Sequence, residues 1–275
     1  METFLIANEP ILRLSAYLGL LAAFAGLESA FPRRSRARGR GRRWFANLAM
    51  GAAGAGLVRL LAFIAAPLVA VGAAVLAEGR GIGLLHAAEL PRWAALAIGV
   101  LALDLLVYSQ HVALHRIAPL WRLHRPHHTD LDVDVTTALR FHPAEIALSM
   151  GLKVLAVLAL GIPPAAVVIF EVVLNGMAMF NHANLALPRP VDAALRLVLV
   201  TPDMHRVHHS RIPVETNANF GFYLSLWDRL FGTYVAEPSL GHGGMRVGLD
   251  GFDGPEAQSL AGLLVLPIRA DGPAA

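Results

Sequence analysis

Apolar residues in this chain are gathered into long blocks and do not alternate with polar ones. Ile11 to Leu27 is almost unbroken, Phe45 to Ala77 is interrupted by Arg59, Ala94 to Leu106 carries Asp104, and Ile146 to Phe180 runs for 35 residues. About 20 apolar residues in a helix cross the hydrocarbon of a bilayer. The last block is much longer than one crossing needs and holds Gly161, Pro163 and Pro164 near its middle. It therefore predicts a helical hairpin, down and back. The block from Phe45 is also too long for one simple crossing, and Pro67 is the expected end of its span, leaving a re-entrant or interfacial piece before Pro91. The pattern predicts an all-α integral membrane protein of four to five transmembrane helices.

Composition agrees with a lipid solvent. Hydrophobic residues make up 56% of the chain and charged residues 16%, with a mean hydropathy of +0.54, too little polar surface to cover a water-soluble globule. Ile11 to Leu27 is not expected to be a cleaved signal, because the strongest positive cluster follows it and no small-residue cleavage site comes next. That cluster, Arg33 to Arg43, holds seven arginines and no acidic residue. The positive-inside rule places it in the cytoplasm. The N-terminus is then outside, and residues 110–145 and everything after Asn181 are cytoplasmic, forming a histidine-rich helical cap. A bacterial inner membrane is the expected location. As a nucleic-acid site the arginine run lacks base-reading partners, so no nucleic acid is expected. With no cysteine in the chain, disulfides and thiolate ligands are excluded.

Eleven of the twelve histidines fall in the two cytoplasmic regions, His86 being the exception. Three clusters carry them: His111 and His115; His124, His127 and His128; His205, His208 and His209. Residues three and four apart share a helix face, so each cluster presents converging imidazoles. Eight imidazoles suffice for two metal ions. His182, closing the last apolar block, is a further candidate ligand, with Asn181 and Asn184 as possible orienting groups. His142 is another candidate, whether as a direct ligand or not. His86 and His242 read as ordinary surface or structural histidines.

Asp104, Tyr108, His111 and His115 form one helical stripe, and Glu171, Asn175 and His182 form another. Carboxylates at such depth need partners. Asp104 and Glu171 either accept hydrogen bonds from ligand imidazoles or from Tyr108, fixing tautomers, or bind structurally to Arg59 or Lys153. Both readings stay open.

Imidazole suits zinc, copper, iron and nickel alike. The zinc-hydrolase pattern His-Glu-x-x-His is absent, because Val112 stands where its general base would be. Two redox metals beside an apolar bundle suit activation of dioxygen and attack on an unactivated C–H bond. No dinucleotide fingerprint, haem or flavin site is visible, so electrons must come from a separate electron-transfer protein or reductase. The alternative from a different class is a membrane transporter of zinc or another metal ion, whose ligands would lie at the bilayer midplane.

The three clusters resemble the histidine boxes of the fatty acid hydroxylase superfamily, which includes sterol desaturases, sterol methyl oxidases and alkylglycerol monooxygenase. The resemblance continues through Trp121-Arg122-Leu123-His124, Thr137 to Pro143, Thr201-Pro202-Asp203-Met204-His205, Asn219-Phe220-Gly221 and Leu226 to Thr233, and covers about Arg42 to Thr233. Three boxes in this order with these flanks make a specific signal. It implies a non-haem di-iron oxygenase acting on a membrane lipid with dioxygen and an external reductant, with zinc a possible substitute for iron in a purified sample. It also gives His182 the role of the extra histidine between the second and third boxes. The stretch from Thr201 to His209 is nearer the sterol desaturase and alkylglycerol branch. A fused cytochrome b5 domain is not expected. Hydroxylation and desaturation are both open.

Three regions are expected: residues 1–41, an N-terminal membrane helix and basic loop; 42–236, the histidine-box domain; and 237–275, a peripheral tail. Val191 to Val200 is expected to be an interfacial helix that presents the third cluster. The aromatic-rich run from Phe220 to Phe231 is expected at headgroup level or as a lid over the site, and Trp121, Arg122 and Arg125 at anionic headgroups.

Overall fold

The structure is a computed structural model that describes residue 4 and residues 8–36 and 39–269. The described chain is helical, with only isolated bridges between extended segments. In chain order its main helices are α1 (Glu9–Ala30), α2 (Arg40–Ile64), α3 (Ala70–Arg80), α4 (Arg92–Arg116), α5 (Ala118–His128), α6 (Pro143–Leu160) and α7 (Pro164–His182). Five of these, all but α3 and α5, are long and apolar enough to cross a membrane. Shorter helices follow: α8 (Arg189–Leu195), α9 (Pro202–His208), α10 (Leu226–Leu230) and α11 (Leu260–Val265).

The expected hairpin forms between α6 and α7. Gly161 ends α6 in the left-handed region, φ 67°, and Pro164 starts α7 where a helix needs no N–H. A Cβ at Gly161 would also stand 2.5 Å from the Ile82 carbonyl oxygen, so conformation and crowding both demand glycine. Further back, α2 stops at Ile64, three residues before Pro67, and a single 3₁₀ turn leads into α3. Eleven residues are too few to span a bilayer, so α3 packs against α6 and α7 instead. It buries Ala70, Ala73, Ala74 and Ala77, the i, i+3, i+4, i+7 stripe of one helix face.

The main core joins α3, α4, α6 and α7 through Leu103, Val107, Val157, Ile162, Phe170 and the small residues of α3. Large apolar side chains on the outer faces, such as Leu18, Phe45, Phe63, Trp93 and Leu155, remain exposed and suit contact with lipid tails. Helix α1 lies along α7, with Phe24 and Phe180 ring centroids 5.7 Å apart. At its end the fully buried Glu28 accepts the backbone N–H groups of Val135 and Asn184, both at 3.0 Å. This carboxylate ties the first helix to two histidine-bearing stretches.

Two expectations about the rim change. Trp121 is buried against a tail cluster of Leu249, Phe252, Ala257 and Leu266. Arg122 Nη2 donates to the Arg269 carbonyl at 2.6 Å and Arg125 Nη2 to the Leu266 carbonyl at 2.5 Å. These three side chains are taken up by the C-terminal segment, not offered to headgroups. Val191 to Val200 is helical only to Leu195; Val200 then donates to Tyr223 and Ser225 donates to Val198, both at 3.0 Å, clipping the two stretches side by side.

Candidate metal centre

Four helices deliver nine histidines to one place. His111 and His115 occupy the last two turns of α4, His182 is the final residue of α7, α5 carries His124, His127 and His128, and α9 brings His205 and His208 with His209 as its cap. Helix α9 is aimed by its own start: Thr201 accepts the Met204 N–H and Pro202 occupies the first turn.

The nine separate into two groups. His111, His115, His124, His128 and His208 form one; His127, His182, His205 and His209 form the other; within each, candidate ligand atoms all lie within 4.8 Å of one another. The sequence clusters are therefore split. Residues i and i+4 stay together, as His124 with His128 and His205 with His209, while His127 and His208 turn to the other group. Adjacent helical residues point about 100° apart, so neighbours such as His127 and His128 cannot converge on one ion.

Hydrogen bonds set which nitrogen each ring offers. Nδ1 of His111 faces the Phe220 carbonyl at 2.7 Å, Nδ1 of His182 the Ala178 carbonyl at 2.6 Å and Nδ1 of His208 the Ala218 carbonyl at 2.8 Å. A carbonyl only accepts, so each Nδ1 carries the proton and each Nε2 keeps a lone pair. His124 Nδ1 lies 2.8 Å from Glu145 Oε1, and an ionised Glu145 fixes the same tautomer there. His111 Nε2 and His124 Nε2 then face each other, lone pair to lone pair, at 3.2 Å. With Glu145 ionised, this contact is repulsive unless a cation lies between the two nitrogens. Ligand nitrogens at right angles around an ion, with bonds of about 2.1 Å, lie about 3 Å apart. In the second group His182 Nε2 is 3.1 Å from His127 Nε2 and 3.0 Å from His205 Nε2.

Further donor atoms fit the same account. Nε2 of His115, His128, His208 and His209 is buried with no hydrogen-bond partner among the described residues. Burial, the largest influence, takes His124 down to about 3 and holds His127, His128, His205, His208 and His209 well below the ordinary histidine value. Neutral imidazole is the form that binds metal.

Aromatic rings enclose the two groups. Phe141 stacks on His127 at 4.3 Å, Phe222 lies 4.9 Å from His111 and 6.0 Å from His205, and Phe220 lies 5.2 Å from His115. Trp121 covers His115 at 4.9 Å and His128 at 5.3 Å.

Of the two readings left open for the polar stripes, support of the ligand imidazoles is not found, and the structural bond to Lys153 holds for Glu171. Asp104 accepts the Trp227 indole N–H at 2.7 Å and the Leu224 N–H at 3.4 Å, reaching neither an imidazole nor Tyr108. Glu171 is ion-paired with Lys153 at 2.8 Å and Arg13 at 2.9 Å, between helices and away from the histidines. Asn175 donates to the Glu171 carbonyl within its own helix at 2.7 Å. Tyr108 bonds Thr233 Oγ1 at 2.9 Å; Thr233 donates to Asp228 at 2.7 Å, and Asp228 accepts the N–H groups of Phe220 and Gly221 at 2.8 and 2.9 Å. Tyr108 thus acts at one remove, on the backbone that holds His111. His142 caps α6: Nδ1 accepts the Ala144 N–H at 3.1 Å and Nε2 faces the Leu264 carbonyl at 3.2 Å, leaving no nitrogen for an ion. His86 lies apart, beside a small cavity with Glu89 and Gly161. His242 is buried 3.0 Å from Glu237 Oε2.

Glu145 and the carbonyls of Ala178, Ala218 and Phe220 escaped the reading of the sequence. Glu145, two residues after Pro143, looks like an acid at a helix start. Only the Asn219-Phe220-Gly221 motif and Asp228 marked the Phe220 carbonyl.

The fatty acid hydroxylase family model matches residues 96–233, a span holding all nine histidines and Glu145. Over 142 residues the chain is 30% identical to the ornithine lipid hydroxylase OlsE of Rhizobium tropici, covering 51% of this chain and 42% of that protein. It is 32% identical over 145 residues to alkylglycerol monooxygenase of Homo sapiens, 53% of this chain and 31% of that protein, and 32% identical over 135 residues to the Caenorhabditis elegans enzyme of the same name. The matched part spans less than half the length of these relatives. No solved structure matches the chain.

Proposed function

The chain belongs to the fatty acid hydroxylase family, and from that premise we propose that it is an integral-membrane oxidoreductase that hydroxylates or desaturates an unactivated C–H bond of a membrane lipid. The observation that carries this reading is the opposition of His111 Nε2 and His124 Nε2 across 3.2 Å inside a nine-histidine, two-group site. The ligands would be His111, His115, His124, His128 and His208 for one ion and His127, His182, His205 and His209 for the other. Two non-haem iron ions held there would supply dioxygen activation and the oxidising power to remove hydrogen, with zinc the expected substitute in a purified sample.

The chain's own part is to hold and to exclude. Nδ1–H bonds from His111, His182 and His208 to backbone carbonyls, with Glu145 on His124, keep the lone pairs aimed inward. Phe222 belongs to the main apolar core and Phe141 packs against it, so these two rings stand between the bundle interior and both histidine groups. They form the apolar wall that a lipid carbon would meet, and they keep water from it. The substrates for which the relatives are named, an ornithine lipid and alkylglycerols, support a lipid as substrate.

Electrons would come from a separate protein on the cytoplasmic side, where the arginine-rich loop is expected to lie. A metal-ion transporter would carry its ligands at mid-span; His111, His115 and His182 instead occupy the last turns of their helices.

Metal analysis of detergent-purified protein together with untargeted lipid comparison of cells with and without the gene, under labelled dioxygen, tests the proposal. Two iron ions per chain and a lipid altered only in the presence of oxygen are expected, with label in the product if the outcome is hydroxylation. Metal transport into vesicles with no oxygen-dependent lipid product would overturn it.

A further inference from the structure

A cavity of about 240 Å³ opens beside the site on the side of the arginine-rich loop, and its lining holds five arginines against three aspartates. Of the aspartates, Asp134 pairs with Arg43, Asp253 pairs with Arg211, and Asp132 lies close enough to act on the charge of Arg34. Arg206 pairs with Asp203 and Arg36 with Glu28, but the N–H groups of the loop arginines are not all bonded. Arg34 Nη2 donates to the Met245 carbonyl at 2.7 Å, but its Nη1 is buried without a hydrogen-bond partner among the described residues. Arg36 reaches Glu28 at 3.3 Å through Nη2 while its Nε is likewise buried and unpartnered. A buried N–H without a hydrogen bond is costly even on a half-buried side chain, and a planar fork of N–H donors matches the oxygens of a phosphate.

We propose that this cavity is a binding site for a phosphate-type anion, gripped by Arg34 and Arg36 from the loop between α1 and α2 and by Arg246 at the rim. The position fits the chemistry. Arg34 and Arg36 lie between the end of one candidate membrane helix and the start of the next, where a chain crossing at both helices meets the lipid headgroups. The far wall includes Asn184, two residues beyond His182, and Arg206, between His205 and His208. An anion here therefore bridges the basic loop to the stretches that carry His182 and the third histidine cluster. The site is independent of the reaction proposed above, because it needs only the charge and shape of its lining. The shared ligand chemistry is a phosphate group, from a lipid headgroup or free in solution.

The test uses full-length protein in detergent, wild type and the variants Arg34→Gln, Arg246→Gln and their combination, with Arg229→Gln as a control because Arg229 packs on Tyr234 at 4.0 Å and does not line the cavity. Native mass spectrometry reads retention of phosphatidylglycerol against diacylglycerol, and melting curves read saturation by inorganic phosphate. One phosphatidylglycerol retained per chain, lost in the double variant and kept in the control, assigns the site to a headgroup. A saturable rise in melting temperature with inorganic phosphate, weakened at least tenfold in the double variant, assigns it to the free anion. Neither response in the wild type, or equal responses in wild type and double variant, overturns the proposal. Should Arg34→Gln fail to fold, the exposed Arg246 is decisive alone: unchanged affinity in Arg246→Gln counts against the site.

Discussion

At the scale of single residues the site depends on which ring nitrogen holds the proton. His124 Nδ1 is fixed by a carboxylate, Glu145, where His111, His182 and His208 use carbonyls. Removing that carboxylate frees the ring to turn and lowers its basicity. Glu145→Ala should weaken metal binding by about 10- to 100-fold, and Glu145→Gln, which keeps an acceptor, by less; competition with a chelator measures both. His208→Ala and His128→Ala remove ligand atoms outright, so both should lower metal content and abolish turnover, and full metal with full activity in both would contradict the assignment. The candidate ligands were legible in the sequence because i, i+3 and i+4 spacing survives folding. Their division into two groups was not, because it depends on where four separate helices point. Glu145 was hidden for the same reason: it lies 21 residues from His124, and nothing local marks the contact.

At the scale of elements, two segments outside the long helices hold the site in place. The first is the stretch from Asn219 to Thr233, in which Asp228 gathers the N–H groups of Phe220 and Gly221 and so sets the carbonyl that orients His111. Burial, the largest influence, lifts Asp228 to about 6 against the pull of Thr233 and the two backbone N–H groups. Its folded value lies above its ordinary one, so the stability it contributes is complete below the ordinary carboxylate range and is lost as pH rises through about 6. Asp228→Asn carries no charge at any pH. Between about pH 4 and about pH 7 the melting temperature of the wild type should fall relative to that of Asp228→Asn, and parallel curves would show that this carboxyl does not titrate there. The second segment is the tail. Arg140, fully buried, donates to the carbonyls of Pro126 at 2.8 Å and Ala257 at 2.9 Å, joining the stretch after α5 to the C-terminal segment over Trp121. Ending the chain after Glu237 should leave Arg125, Arg140 and Trp121 uncovered, lowering the melting temperature and speeding loss of metal to a chelator. The hairpin at Gly161 was legible because glycine and two prolines mark it locally. The tail was not, because Leu249, Phe252 and Leu266 are too sparse to form a period and acquire meaning only against Trp121.

At the scale of the whole molecule, the basic loop and the site share one face whichever way the protein is inserted. Arg34 donates its backbone N–H to Asn184 at 3.0 Å, Arg33 is paired with Asp203 at 2.9 Å, and Glu28 spans to Val135 and Asn184. Whatever orients the loop therefore orients the histidines. Seven arginines without an acidic residue make a strong inward signal, and if all five candidate helices cross, the first and last of them end on opposite sides. On that topology the short helical turn at Leu84–Ala87, between α3 and α4, would face outward. Because the chain has no cysteine, single substitutions give a clean background for labelling. Ser35 and Asp250 are exposed on the loop and tail, and Leu84 is exposed at the opposite end of the bundle. A membrane-impermeant maleimide on intact cells should label Leu84→Cys, while Ser35→Cys and Asp250→Cys should label only after the membrane is opened. The reverse pattern would place the site outside, where a cytoplasmic reductase cannot reach it. Labelling of Ser35→Cys and Leu84→Cys from the same side would mean that α2 does not cross.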